Sequence, residues 1–132
     1  MTGLDTNVLV RYFTRDDERQ ARAARKFIND SIVAGERLHV SLVALAELAW
    51  VLRSRYKVVR TEISNLIGSL LSEPGILVQD SNAVWMALDV SARSGIDFSD
   101  ALIAAVNRLH GCTHSVTFDD KAARISAMTL LR

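Results

Sequence analysis

The stretch TGLDTNVLVRYF, residues 2–13, places an acidic residue at a junction between two kinds of backbone. Thr2 to Leu4 reads as a short buried strand, and from Asn7 to Thr14 the apolar residues recur on a helical stripe. Asp5, followed by Thr6 and Asn7, stands between them. A strand that feeds directly into a helix is half of a crossover unit, so the question is whether the pattern repeats downstream.

It repeats three times, with Leu38 to Val40, Ile76 to Val78 and His114 to Val116 as further strand-like segments between longer helical ones. Asp16-Asp17-Glu18 puts negative charge at the start of a helix running to about Ala34, and Gly35 suits its C-terminal cap. Ser41 predicts the cap of a helix extending to about Arg55. Thr61 with Glu62 opens another toward Leu71, and Glu73-Pro74-Gly75 is a turn leading into Ile76. Asp80 or Ser81 caps the next helix, with Gly95 near its end, and Ser99 caps the one that closes at Gly111. Met128 to Leu131 reads as a last short edge strand. Short strands separated by helices need crossover connections, which favour a parallel sheet covered on both faces. The predicted fold class is α/β, a three-layer α/β/α sandwich with a central, mainly parallel sheet.

A length of 132 residues suits one domain spanning 1–132, and 49% hydrophobic residues with one proline and six glycines describe a globule with a sizeable core. Sixteen basic residues against fifteen acidic ones leave a formal charge of +1, so any attraction to nucleic acid must come from a local patch. Cys112 is the only cysteine. That excludes an intramolecular disulfide and a cysteine-based zinc site, fits a reducing compartment, and suggests a small buried hydrophobe. The N-terminus shows no basic segment leading into an apolar one. The longest apolar stretch, Val40 to Leu52, is interrupted by Ser41 and Glu47 and falls short of the about 20 residues that span a bilayer. The expectation is a cytoplasmic protein without membrane contact.

Glu47 is the only non-apolar residue among the eleven from Leu42 to Leu52, which predicts a carboxylate carried on a helix buried almost all round. A buried carboxylate needs a charged partner or a metal ion. Asp5, Asp100 and Asp119 each fall at the end of a strand segment or the start of a helix, where ligands collect in open parallel sheets. For any one of them a simple capping role is the ordinary alternative. Converging with Glu47, they would repel one another unless cations neutralised them. An all-oxygen set favours Mg²⁺ or Mn²⁺, whose retained waters and Lewis acidity suit hydrolysis of phosphate esters.

The segments GLDTNVLVRY, SLVALAELAWVL, DFSDALIAA and TFDDKA, in that order, resemble the successive motifs of PIN-domain nucleases, most closely the VapC-type toxins of bacterial toxin–antitoxin pairs. The match begins at Gly3 and ends near Ala122. The resemblance implies a PIN-like fold and a metal-dependent endoribonuclease that leaves a 5′-phosphate. It also implies a homodimer and an antitoxin protein that blocks the site. It carries the family's metal-binding acids onto Asp5, Glu47, Asp100 and Asp119. Thr6, Asn7 and Thr117 match polar residues that orient carboxylates or the attacking water. Asp120 replaces the basic residue more usual after the last acid, and the T-x-D register points to Asp119 as the one facing the metal. Asp97 is a peripheral candidate, or a loop and cap residue.

Arg11 and Arg15 follow the first motif at helical steps, and Arg53, Arg55, Lys57 and Arg60 cluster after the Glu47 helix; the plain reading of both groups is solvated surface. His39, His110 and His114 show no ligand spacing, and Trp50 and Trp85 suit core or dimer packing rather than base stacking. Other α/β classes fit less well. A haloacid-dehalogenase-type phosphatase needs a second aspartate where Asn7 stands. A response-regulator receiver needs paired acids and a late lysine, and an adhesion module needs hydroxyl residues where Asn7 and Leu9 stand. The alternative that keeps the fold is an inactive PIN-like domain that binds RNA or protein.

Overall fold

Parallel pairing joins the segments that the sequence singles out as strands. The computed structural model describes residues 1–132, which form two compact units, Met1–Gln79 and Asp80–Arg132. In the first, β1 (Thr2–Gly3), β2 (Leu38–Val40) and β3 (Ile76–Val78) pair in that order, all parallel, with Thr2 opposite Leu38 and Leu38 opposite Ile76. The connections are the helices α1 (Thr6–Phe13) and α2 (Glu18–Val33), then α3 (Leu42–Ser54) and α4 (Arg60–Ser72). Leu38 and Val40 are fully buried, and α1 packs on α2 and α3 around a core that includes Leu9, Ile28, Leu45, Leu48 and Leu52.

Local chemistry sets the helix ends. Asp17 starts α2 by accepting a hydrogen bond from the Gln20 amide at 3.0 Å. At the other end Gly35, at φ +76°, turns the chain so that the Glu36 amide reaches the Ser31 carbonyl at 2.9 Å and the Gly35 amide reaches that of Ile32 at 3.1 Å. This pairing satisfies carbonyls that the helix leaves open. Two side chains hold the start of α3: Ser41 Oγ accepts from the Ala44 amide at 3.1 Å, and Gln79 Oε1 accepts from the Leu42 amide at 2.9 Å.

Two expectations about α3 do not hold. Its buried residues are Ala44, Leu45, Leu48, Ala49 and Leu52, while Val43, Glu47 and Trp50 form an exposed stripe at helical spacing, Trp50 being 62% exposed. Glu47 is therefore solvent-accessible and Trp50 is not core. An all-apolar helix carries no pattern that says which side its neighbours will cover, and α1 and α4 cover one face only.

In the second unit, α5 (Ser81–Ser94) packs on α6 (Phe98–Leu109), and β4 (Ser115–Thr117) pairs in parallel with β5 (Met128–Leu130) after a 3₁₀ turn at Ala122–Arg124. Between the helices, Gly95 at φ +70° and the 2.6 Å bond from Ser91 Oγ to the Ile96 carbonyl make a tight turn. The α6 helix starts earlier than predicted. Asp97 occupies its N-cap position and Ser99 lies inside the first turn, because Phe98, Ala101 and Leu102 must share one buried face. Cys112 is exposed rather than buried, in a turn whose neighbours Gly111, Thr113 and His114 are exposed as well. Trp85 is also substantially exposed. No helix is long and apolar enough to cross a membrane.

Removing the Ser41 cap should be felt through the helix that carries Glu47. Ser41→Ala is expected to lower unfolding free energy by about 1 kcal/mol, read as a reduced urea midpoint, whereas Ser41→Asp should remain near wild type.

Candidate active site

In the first unit, α1 begins without the help of its own capping side chain. The Asp5 carbonyl accepts from the Val8 and Leu9 amides at 3.1 and 3.3 Å, but its carboxylate makes no capping bond and is exposed. The ordinary explanation for an aspartate at a helix start is thus absent. The next residue, Thr6, is buried, and its hydroxyl donates to Glu47 Oε1 at 3.3 Å across 41 residues of chain. Asn7 is exposed on the following position of α1.

One turn further along α1, Arg11 is not simply solvated. Its Nη1 pairs with Asp16 Oδ1 at 2.9 Å, its Nε donates to Gln20 Oε1 at 2.8 Å, and its Nη1 lies 3.3 Å from the Tyr56 hydroxyl. The Tyr56 hydroxyl donates to Asp16 Oδ2 at 2.8 Å. That bond and the guanidinium hold Asp16 below the usual carboxylate range. Tyr56 and Gln79, which fasten α1 and α3, were not singled out in the sequence, because nothing in their local spacing marks contacts 45 and 37 residues away. Arg15, Arg55 and Lys57 are exposed as expected, and Arg53 donates to the Val58 carbonyl at 3.4 Å.

The second unit holds the other acids. Asp100 lies in the first turn of α6 and is half-buried. Burial raises its carboxyl above the ordinary value, and the negative charges of Asp119 and then Asp97 raise it further. Asp119 follows β4 and is fixed from both sides. Thr117 Oγ1 accepts from the Asp119 amide at 3.0 Å, and Asp119 Oδ1 accepts from the Lys121 and Ala122 amides at 2.8 and 3.4 Å. Asp120 is exposed and is not among the charges acting on Asp100.

These donors suit a hard cation. They are carboxylate oxygens, and Asp100 has neighbours whose repulsion a divalent ion would relieve. No three carboxylate, histidine or cysteine side chains stand close enough to form a ready-made ligand group. Magnesium does not require one, since it is commonly held by one or two carboxylates with waters and substrate phosphate completing its shell.

The family model of the PIN domain matches residues 4–128, across both units. This chain belongs to the PIN domain family. No curated protein matches the sequence. PIN domains are generally nucleases, and they generally use divalent metal ions. In this PIN domain the mixed α/β architecture and all-parallel strand pairing agree with the family and with the fold read from the sequence.

The raised Asp100 carboxyl has a direct stability consequence. Because the folded state favours the protonated form, stability falls as pH rises from the ordinary carboxylate range through the raised value. Asp100→Asn removes that cost. In metal-free buffer at neutral pH the variant should melt roughly a degree or two higher than wild type, and the difference should vanish below the ordinary carboxylate range, where Asp100 is protonated in both states. Thermal melts across pH check this.

Proposed function

We propose that residues 1–132 act as one PIN nuclease domain, a Mg²⁺- or Mn²⁺-dependent endoribonuclease whose metal-binding acids are Asp5, Glu47, Asp100 and Asp119. The observation that carries this reading is the crowding of Asp100 by Asp119 and Asp97 at the start of α6. Keeping a half-buried carboxyl among like charges is costly, and cation binding would relieve that cost.

The chain's own residues then have distinct tasks. Thr6 fixes the orientation of the Glu47 carboxylate through Oε1, and Asp5, uncommitted to capping, presents its oxygens at the head of α1. Thr117 and the amides of Lys121 and Ala122 set the rotamer of Asp119 through the backbone and Oδ1. Asp100, whose carboxyl is pushed upward by burial and then by Asp119, would be a better ligand once ionised, so cation binding and ionisation favour each other. Held by these carboxylates, a divalent ion would supply Lewis acidity for hydrolysis at phosphorus and would offset charge on the departing 3′ oxygen, leaving a 5′-phosphate on the product.

The order of the four motifs further supports a cytoplasmic toxin of a toxin–antitoxin pair, with an antitoxin protein as inhibitor and a homodimer as the assembled form. The uncovered apolar side chains of Val43 and Trp50 on α3, and of Trp85 and Met86 on α5, are consistent with a protein partner. The absence of a preassembled group of three ligands is the observation that favours the second reading, an inactive PIN-like module that binds RNA or protein.

Metal titration and mutation separate the two. Millimolar Mn²⁺ or Mg²⁺ should raise the melting temperature of the wild type, because a cation that binds only the folded state stabilises it by mass action. Asp5→Asn and Asp100→Asn should each cut single-turnover RNA cleavage by roughly two orders of magnitude or more while keeping the wild-type circular dichroism spectrum. Cleavage at wild-type rate in either variant removes that residue from the centre, and no cleavage by the wild type with either metal favours the binding module.

A further inference from the structure

A groove of about 350 Å³ runs between α1 and α2 within the first unit. Its rim carries Asn7, Arg11 and Gln20, and its wall carries Ala23 and Phe27, whose ring is 46% exposed. The groove opens at Asn7, two residues beyond Asp5 along the chain. Its volume falls at the lower end of small-ligand sites, suited to one flat ring rather than to a folded segment.

Beside it lies a cationic row. On α2 the groove residues Gln20, Ala23 and Phe27 are each preceded by an exposed cation, Arg19, Arg22 and Lys26, so the row follows the groove one helical step away. Lys26 is paired with Asp30 at 2.6 Å. Two acids at the head of α2 have partners at the surface: Asp16 is bound by Arg11 and Tyr56, and Asp17 caps the helix. Glu18 is exposed at the start of α2, four residues before Arg22. Residues 11–30 carry six basic and four acidic side chains, so this part of the chain is locally basic in a molecule whose total charge is only +1.

We propose that the α1–α2 groove and the Arg19–Arg22 row form the track for single-stranded RNA, with one base stacked on Phe27 and the backbone running along the arginines. An aromatic wall with amide donors and acceptors at the rim complements a base, which has an apolar face and a polar edge. The neighbouring cations complement the phosphates. Asn7 and Gln20 meet the base edge, and Arg11 is held ready by Asp16 and Gln20. The proposal rests on the nuclease reading only for the choice of RNA as the polymer.

The test is fluorescence anisotropy with a labelled ten-nucleotide oligouridine in buffer with chelator, so that binding is read without cleavage. Phe27→Ala should weaken binding by about tenfold. Wild type should prefer oligouridine over an abasic ribose-phosphate chain of equal length, and Phe27→Ala should lose that preference. The surface variant Arg19→Ala/Arg22→Ala, which removes no buried group, should lower the slope of log Kd against log salt by about 1.4, at roughly 0.7 per phosphate contact on a single strand. Thermal melts establish that each variant is folded. Wild-type affinity, base preference and salt slope in both variants would overturn the proposal even if the protein cleaves RNA with Mn²⁺. The predicted losses without any metal-dependent cleavage would support the track and count against the nuclease reading instead.

Discussion

Negative charge brought close to negative charge is the constraint on which the site depends. At the head of α6, burial together with Asp119 and Asp97 disfavours ionisation of Asp100. Asp97 stands at the N-cap position of that helix without making a side-chain capping bond. The chain holds a further acid one turn inside and a third after β4, with Thr117 and two backbone amides keeping Asp119 in place. Such an arrangement costs stability once Asp100 is ionised, which links folding to proton binding.

For Asp5 the junction between strand and helix is the device that delivers the acid. At the end of a parallel strand the backbone passes from extended to helical conformation within two or three residues, and the first amides of the helix point forward without partners. A side chain at that joint either satisfies those amides or faces outward. Asp17 does the former for α2. Asp5 does not, so the negative group stays available near the positive end of α1. The buried Thr6 then ties this end of α1 to Glu47, which gives an exposed carboxylate a defined orientation without burying it.

Much of the fold was legible because it follows from local periodicity. The strand segments and the helices between them were readable from the alternation of short apolar runs with helical stripes, and the caps at Asp17, Ser41 and Gly35 from residue type alone. What failed did so for a common reason. The burial expected of Glu47 and Cys112 rests on composition, but burial depends on which neighbours arrive, and those come from elsewhere in the chain. The start of α6 was placed at Ser99 by capping preference, and the packing of Phe98 moved it. Residue type at a helix start contributes about 1 kcal/mol, less than the roughly 1.5–3 kcal/mol gained by burying an aromatic side chain, so packing wins.

The sequence by itself determined the candidate acids and their order, with Asp5 and Asp119 after strand segments and Asp100 in the first turn of a helix, since these are properties of local backbone chemistry and of motif spacing. Only the tertiary structure decided that Thr6 bonds to Glu47, that Asp119 and Asp97 rather than Asp120 act on Asp100, and that Arg11 is bound into a network with Asp16 and Tyr56. Those facts join residues up to 45 positions apart. Distance in space between such residues is set by how helices and strands pack, and packing is a property of the assembled core that no single segment of chain contains.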